Sequence, residues 1–200
     1  MTKESVIISI DIEATGDAYS TSSCVMIGCA VLLDQDVNPN KKDWILEKRN
    51  WCIKEIKPPD TRCWNEFWMN NQELWSYIQT HALPPTEAMK RFAKFYDEMT
   101  EKYKCRFVAA PSSYDWMWVK CIYEEFGPKG KKPLPFSIDC FSTIKRLCYD
   151  IGLNRDLIQS ITRHKSFNHT HYADDDALEQ GYGYLKLTHW LKNNVGLIKK

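Results

Sequence analysis

A chain of 200 residues, 44% hydrophobic and 26% charged, suits one globular domain with its own core and is too short for two. With 27 basic against 26 acidic residues the formal net charge is +1, which excludes a bulk polycation; any polyanion must be held by local features. Eight glycines and nine prolines exclude a collagenous or low-complexity chain, and no apolar run nears the roughly 20 residues of a membrane helix.

A strand-like run begins at Val6 with only Lys3 and Glu4 as charges before it, so no secretory leader is expected, and a cytoplasmic protein without a membrane partner is. None of the eight cysteines has CxxC spacing and several sit in apolar segments, which favours reduced, mostly buried thiols over disulfides or zinc.

Ser5 to Asp11 reads as a first strand with an acidic end, and Val25 to Asp34 as a second; Thr15, Gly16, Asp17, Ser20, Ser22 and Ser23 supply the turn chemistry of a hairpin. Trp44 to Ile56 is a looser third strand, stopped by Pro58 and Pro59. Trp64, Phe67, Trp68, Leu74, Trp75 and Ile78 then recur at helical spacing, interrupted at Asn70 and Asn71. Beyond Pro84 and Pro85, Met89, Phe92, Tyr96, Met99 and Tyr103 form the buried stripe of a longer helix.

Arg106 to Ala110 is a strand leading through Pro111 and Ser112 into a helix over Trp116 to Phe126. Pro135 to Asp139 repeats the arrangement before a helix over Phe141 to Ile151, and a last helix spans about Asp174 to Leu191. Strands first, then strands alternating with helices, imply an α/β fold: a single domain over 1–200 with a mixed five-stranded sheet flanked by helices. Ligands in such sheets gather where strands end and helices begin, and three acidic strand ends, Asp11, Asp115 and Asp139, mark that edge.

Asp11 and Glu13 are two apart on extended backbone and share a face, so one metal can see both. Alone, the pair reads as solvated carboxylates, Asp115 as a helix N-cap, and Asp174, Asp175 and Asp176 as first-turn acids that suit the helix dipole.

In order, however, Asp11 and Glu13 within Asp-Ile-Glu-Ala-Thr-Gly, Asp115 in a strand-to-helix loop, and His171 with Asp176 as H-x4-D resemble the motifs of the DEDDh 3'-to-5' exonucleases. The resemblance runs from Ile7 to about Leu185 and implies a ribonuclease H-like fold. Thr61, Trp64, Trp68, Gln72, Ala88, Phe92, Phe95 and the segment Pro135 to Asp139 are similar to small bacterial and phage members acting on RNA or DNA. Many relatives have Asn a few residues before the second-motif acid; here Pro111, Ser112 and Ser113 stand there, implying a different substrate or ribose contact. His169 with Asp174 also satisfies H-x4-D, but Ala173 and Ala177 fit the family frame built on His171 and Asp176, which leaves His169 as a loop histidine preceding the site.

The resemblance implies two Mg²⁺ or Mn²⁺ ions, with Asp11 shared, Glu13 and Asp176 completing one and Asp115 helping to hold the other. His171 is the implied general base, and its place in a loop with Asn168, His169 and Thr170 implies that it moves in when substrate binds. The implied partner is a single-stranded nucleic acid, RNA favoured over DNA; a homodimer is admitted. Thr15, Gly16, Arg163 and Lys165 are candidate substrate contacts, with His164, Lys129, Lys131 and Lys132 as further phosphate contacts and Tyr19 or a tryptophan for base stacking. An inactive nucleic-acid-binding or protein-interaction module on the same fold is the competing reading, and the presence of all five motif residues argues against it.

Overall fold

The computed structural model describes residues 3–167 and 169–198; Asn168 lies outside them. Its sheet has five strands: β1 (Ser5–Ala14), β2 (Cys24–Leu33), β3 (Ile45–Cys52), β4 (Lys104–Ala109) and β5 (Asp139–Cys140), in the order β3-β2-β1-β4-β5. The first three are antiparallel neighbours, whereas β4 lies parallel to β1 and β5 parallel to β4. This is the mixed sheet expected from hairpin-linked strands followed by strand-helix alternation.

The alternation within β1 sorts its side chains between two layers. Ile8, Ile10 and Ile12 pack with Phe92, Phe95, Trp118 and Ile122 under α3 (Pro85–Lys102) and α4 (Ser112–Phe126). Ile7 faces the other way, with Ala30, Leu32, Val108, Phe141, Ile158 and Leu185, under α5 (Phe141–Asp150), α6 (Arg155–Thr162) and α7 (Ala173–Ile198). A third cluster joins Met26 and Cys52 to Trp68, Leu74 and Ile78, from the segment holding α1 (Thr61–Glu66), a 3-10 turn (Trp68–Asn70) and α2 (Gln72–His81). The break expected at Asn70 and Asn71 falls between that turn and α2. Among the described residues no helix is long and apolar enough to cross a membrane, and all eight cysteines are free.

Several elements differ from the sequence expectation, among them β3, which ends at Cys52 rather than Ile56, and α4, which begins at Ser112 rather than Trp116. β1 does not close at Asp11 but continues to Ala14, because β2 still pairs with it there. β5 shrinks to two residues because Pro133 and Pro135, which lack an N–H, precede it; Phe136 stands 95% exposed. Helix α6 was not anticipated, although Asn154 caps it by accepting from the Leu157 N–H and Leu157, Ile158 and Ile161 follow at helical spacing. Helix α7 extends seven residues past Leu191, to Ile198.

Where α7 crosses the sheet, each of the two carries a glycine. Gly181 rests on Leu32 and Ser9, and Gly28, opposite Asp11 in the β1–β2 register, lies against the backbone of Ala173 and Asp174. A Cβ on Gly28 would stand 2.0 Å from the Ala173 carbonyl carbon and 2.2 Å from the Asp174 nitrogen. Because backbone cannot yield as a side chain can, Gly28→Ala should destabilise the protein by about 3 kcal/mol, at the upper end for overpacking. Urea unfolding would measure this, and an unchanged midpoint would contradict the contact.

Candidate active site

The site grows out of the end of β1. Strand β4 pairs with β1 only as far as Ser9 and Val108, so beyond Ser9 that edge of β1 is open. Asp11 and Glu13 project there on the face toward α7, with Ile12 buried on the other. Both acids are partly buried, and the register shifts after Glu13 as the chain enters the hairpin.

Asp115 reaches the same place from the opposite layer. Strand β4 ends at Ala109, Pro111 stands at the N-cap and α4 begins at Ser112, so Asp115 lies inside the first turn. It is thus neither the N-cap that it reads as in isolation nor in the loop before the helix: it is buried within the turn, and its Oδ2 accepts from the Ala110 N–H at 3.2 Å. Burial pushes its carboxyl up to about 7, against the lowering effect of that backbone bond.

Asp176 comes from the first turn of α7. The three consecutive aspartates divide there: Asp174 pairs with Lys48 at 3.0 Å and accepts from Asn50, Asp175 pairs with Lys48 at the surface, and Asp176 alone turns inward. Carboxylate oxygens of Asp11, Glu13 and Asp176 lie within 4.8 Å of one another. The Asp176 oxygens accept from the N–H groups of Thr170 at 2.9 Å and His171 at 3.0 Å, tying the preceding loop to the helix. Burial raises all three acids, and for Asp11 the charges of Asp115, Glu13 and Asp176 add to it.

His171 sits at φ 61, a left-handed backbone that few side chains adopt, with its ring edge-on to Phe67 at 5.0 Å. Burial first, then His169, lowers its pKa, so the imidazole is neutral at physiological pH. His169 does not merely precede the site: its Nδ1 lies 3.1 Å from Asp176 Oδ2, although its side chain is 61% exposed.

A cleft of about 200 Å³ beside Asp11 and Asp176 is lined also by Lys145, Arg163, His169 and Glu179. Arg163 is thus at the site, whereas Lys165 is exposed and outside the cleft lining. Lys145 went unnoticed in the sequence; its place on α5 one turn after Phe141 was the available signal. The Thr15 side chain is buried and committed to Ser23, and Gly16 packs against Ser22 and Asp60 while its carbonyl accepts from Tyr114. Tyr19 bonds to Glu125 and packs on Trp118, as a wall of the fold. Lys131 binds Glu124 near the end of α4, about 14 Å along that helix from Asp115, and Lys132 binds Thr100 near the end of α3.

No family model and no curated protein matches the sequence. Solved structures do match in shape. The nuclease domain of 3'hExo, a DEDDh family member bound to rAMP, superposes with a TM-score of 0.63 at 14% identity over 93% of this chain and 92% of that one. The chain has the DEDDh exonuclease fold. S. pombe Pop2p, in its Mg²⁺- and Mn²⁺-bound form, gives 0.62 at 11% identity, covering 90% and 82%. A full-length 3'-exonuclease gives 0.62 at 14%, covering 94% and 83%.

On this ribonuclease H-like fold, oxygen-only donors carrying this much charge suit a hard divalent cation such as Mg²⁺ or Mn²⁺. Without one, the clustered acids make a definite demand on pH. Between the unfolded carboxylate range near about 4 and their raised folded values, the native state holds protons that the unfolded chain has released. Stability in EDTA should therefore fall as pH rises through that window, to about 7 for Asp115. Thermal melts between roughly pH 5 and pH 8 check this. Excess Mg²⁺ should restore the loss at the upper end, and Asp11→Asn should flatten the slope; a melting temperature rising with pH would contradict the clustering.

Proposed function

We propose that this chain is a metal-dependent 3'-to-5' exonuclease that hydrolyses single-stranded nucleic acid, RNA in preference to DNA, to nucleoside 5'-monophosphates. One observation carries the reading: Asp11, Glu13, Asp115 and Asp176 converge with a neutral histidine on a fold shared with 3'-exonucleases. That 3'hExo binds rAMP and Pop2p binds Mg²⁺ and Mn²⁺ supports RNA and those ions respectively.

Each residue then has a distinct task. Asp11, Glu13, Asp115 and Asp176 would hold two divalent ions, which when bound supply Lewis acidity toward the phosphodiester and cancel the acids' repulsion of an anionic substrate. Neutral His171 accepts the proton of the attacking water on an imidazole nitrogen. Its left-handed backbone and its N–H bond to Asp176 hold it beside that acid. Lys145 and Arg163 line the cleft and meet the phosphates of the strand.

End-labelled RNA and DNA oligonucleotides with Mg²⁺ or Mn²⁺ test the reading. Stepwise shortening from a free 3' end, blocked by a 3' phosphate and abolished by EDTA, is expected; cleavage of a circular strand, or hydrolysis in excess EDTA, would overturn it. Faster loss of the DNA would reverse the substrate preference alone. His171→Ala should lower turnover by about 10²-fold with little change in affinity, and should remove an acid limb lying below the ordinary histidine range. His169→Ala should be milder; the opposite ranking would move the base to His169.

A further inference from the structure

Histidine appears twice in the loop before α7, and both rings reach the same carboxylate. The geometry points to a second, nitrogen-rich cation site, formed by His169, His171 and Asp176, that takes a zinc-class transition metal and blocks the active site when filled. One ligand atom from each of the three lies within 4.8 Å of the others. The two rings are 4.4 Å apart and nearly perpendicular, and His169 Nδ1 stands 3.1 Å from Asp176 Oδ2. Glu179 Oε2, 3.8 Å from the same nitrogen, offers a fourth ligand.

Two of the three positions are held in advance. Asp176 is fixed by the Thr170 and His171 N–H groups, and His171 by its backbone and by Phe67. The donors of a tetrahedral ion stand roughly 3.3 Å apart, with bonds of about 2.0 Å, so the ligands must draw together. The exposed His169 ring is free to make that movement.

Donor chemistry separates this site from the acid cluster. Two imidazoles and one carboxylate favour Zn²⁺, Co²⁺, Ni²⁺ or Cu²⁺, whereas Mg²⁺ prefers oxygen and does not compete well for nitrogen. A zinc ion here would engage the His171 nitrogen and an Asp176 oxygen together. Its inhibitory effect rests on the proposed nuclease function; its binding does not.

The test uses Co²⁺ as a spectroscopic probe on the full chain in excess Mg²⁺. One equivalent should give visible absorption of a histidine-ligated, low-coordinate ion. The band should be lost in His169→Ala and retained in Asp11→Asn, which disables the acid cluster instead. Zn²⁺ should inhibit hydrolysis in the presence of Mg²⁺. Relative to each variant's own uninhibited rate, His169→Ala should raise the inhibitory concentration by about 10²-fold, since even a partner outside the ligand set can cost that much affinity. A band indifferent to His169→Ala, or lost with Asp11→Asn, would place the ion among the acids and overturn the site. Absence of any hydrolysis with the band intact would defeat the nuclease reading and leave the metal site standing.

Discussion

Everything at the site depends on how closely α7 can lie against the sheet. Asp176 meets Asp11 and Glu13 only because the helix begins in backbone contact with β2 at Gly28, and because Gly181 settles onto Ser9 and Leu32 further along. One methyl group at Gly28 would drive the first turn of α7 away from β1. The glycine carries no chemistry of its own, yet it sets the separation of the carboxylates, and Met26 beside it accepts from the Ala173 N–H to hold the turn down.

That closeness has an electrostatic consequence. Four acids drawn into a partly dry space raise one another's pKa values and oppose folding unless protons or cations neutralise them. The fold offers partial relief through the first turns of α4 and α7, both of which start at the cluster, and through backbone N–H groups aimed at Asp115 and Asp176. Such dipoles cannot offset a charge of this size, which is why the arrangement suits divalent ions and a substrate that brings further negative charge.

A wall of aromatic side chains completes the setting. The Trp68 indole is fully buried and donates to the Ala14 carbonyl at 3.3 Å, pinning the end of β1. Trp75 and Phe67 pack on it edge to face, Trp64 packs likewise on Trp75, and Phe67 in turn backs His171. A segment whose spacing reads simply as helix and core thus also positions a histidine about a hundred residues later.

The amino-acid sequence by itself determined the strand-and-helix alternation, the shared face of Asp11 and Glu13, and the breaks at Asn70 and Asn71, because each follows from local periodicity and turn chemistry. It also carried the order of the acidic motifs. Periodicity alone could not choose among Asp174, Asp175 and Asp176, since three neighbours in one helical turn differ only in direction; the family frame through Ala173 and Ala177 favoured Asp176, and the direction itself is set by β3 supplying Lys48 and Asn50 on one side and β1 its acids on the other. Nor could it show that Thr15 is spent on Ser23, that Lys145 joins Arg163 in the cleft, or that His169 reaches Asp176. Those facts depend on how segments fold against one another: the β1–β2 hairpin joins Thr15 to Ser23, and the close seating of α7 on the sheet through Gly28 and Gly181 brings the loop before it and the cleft residues to the acids.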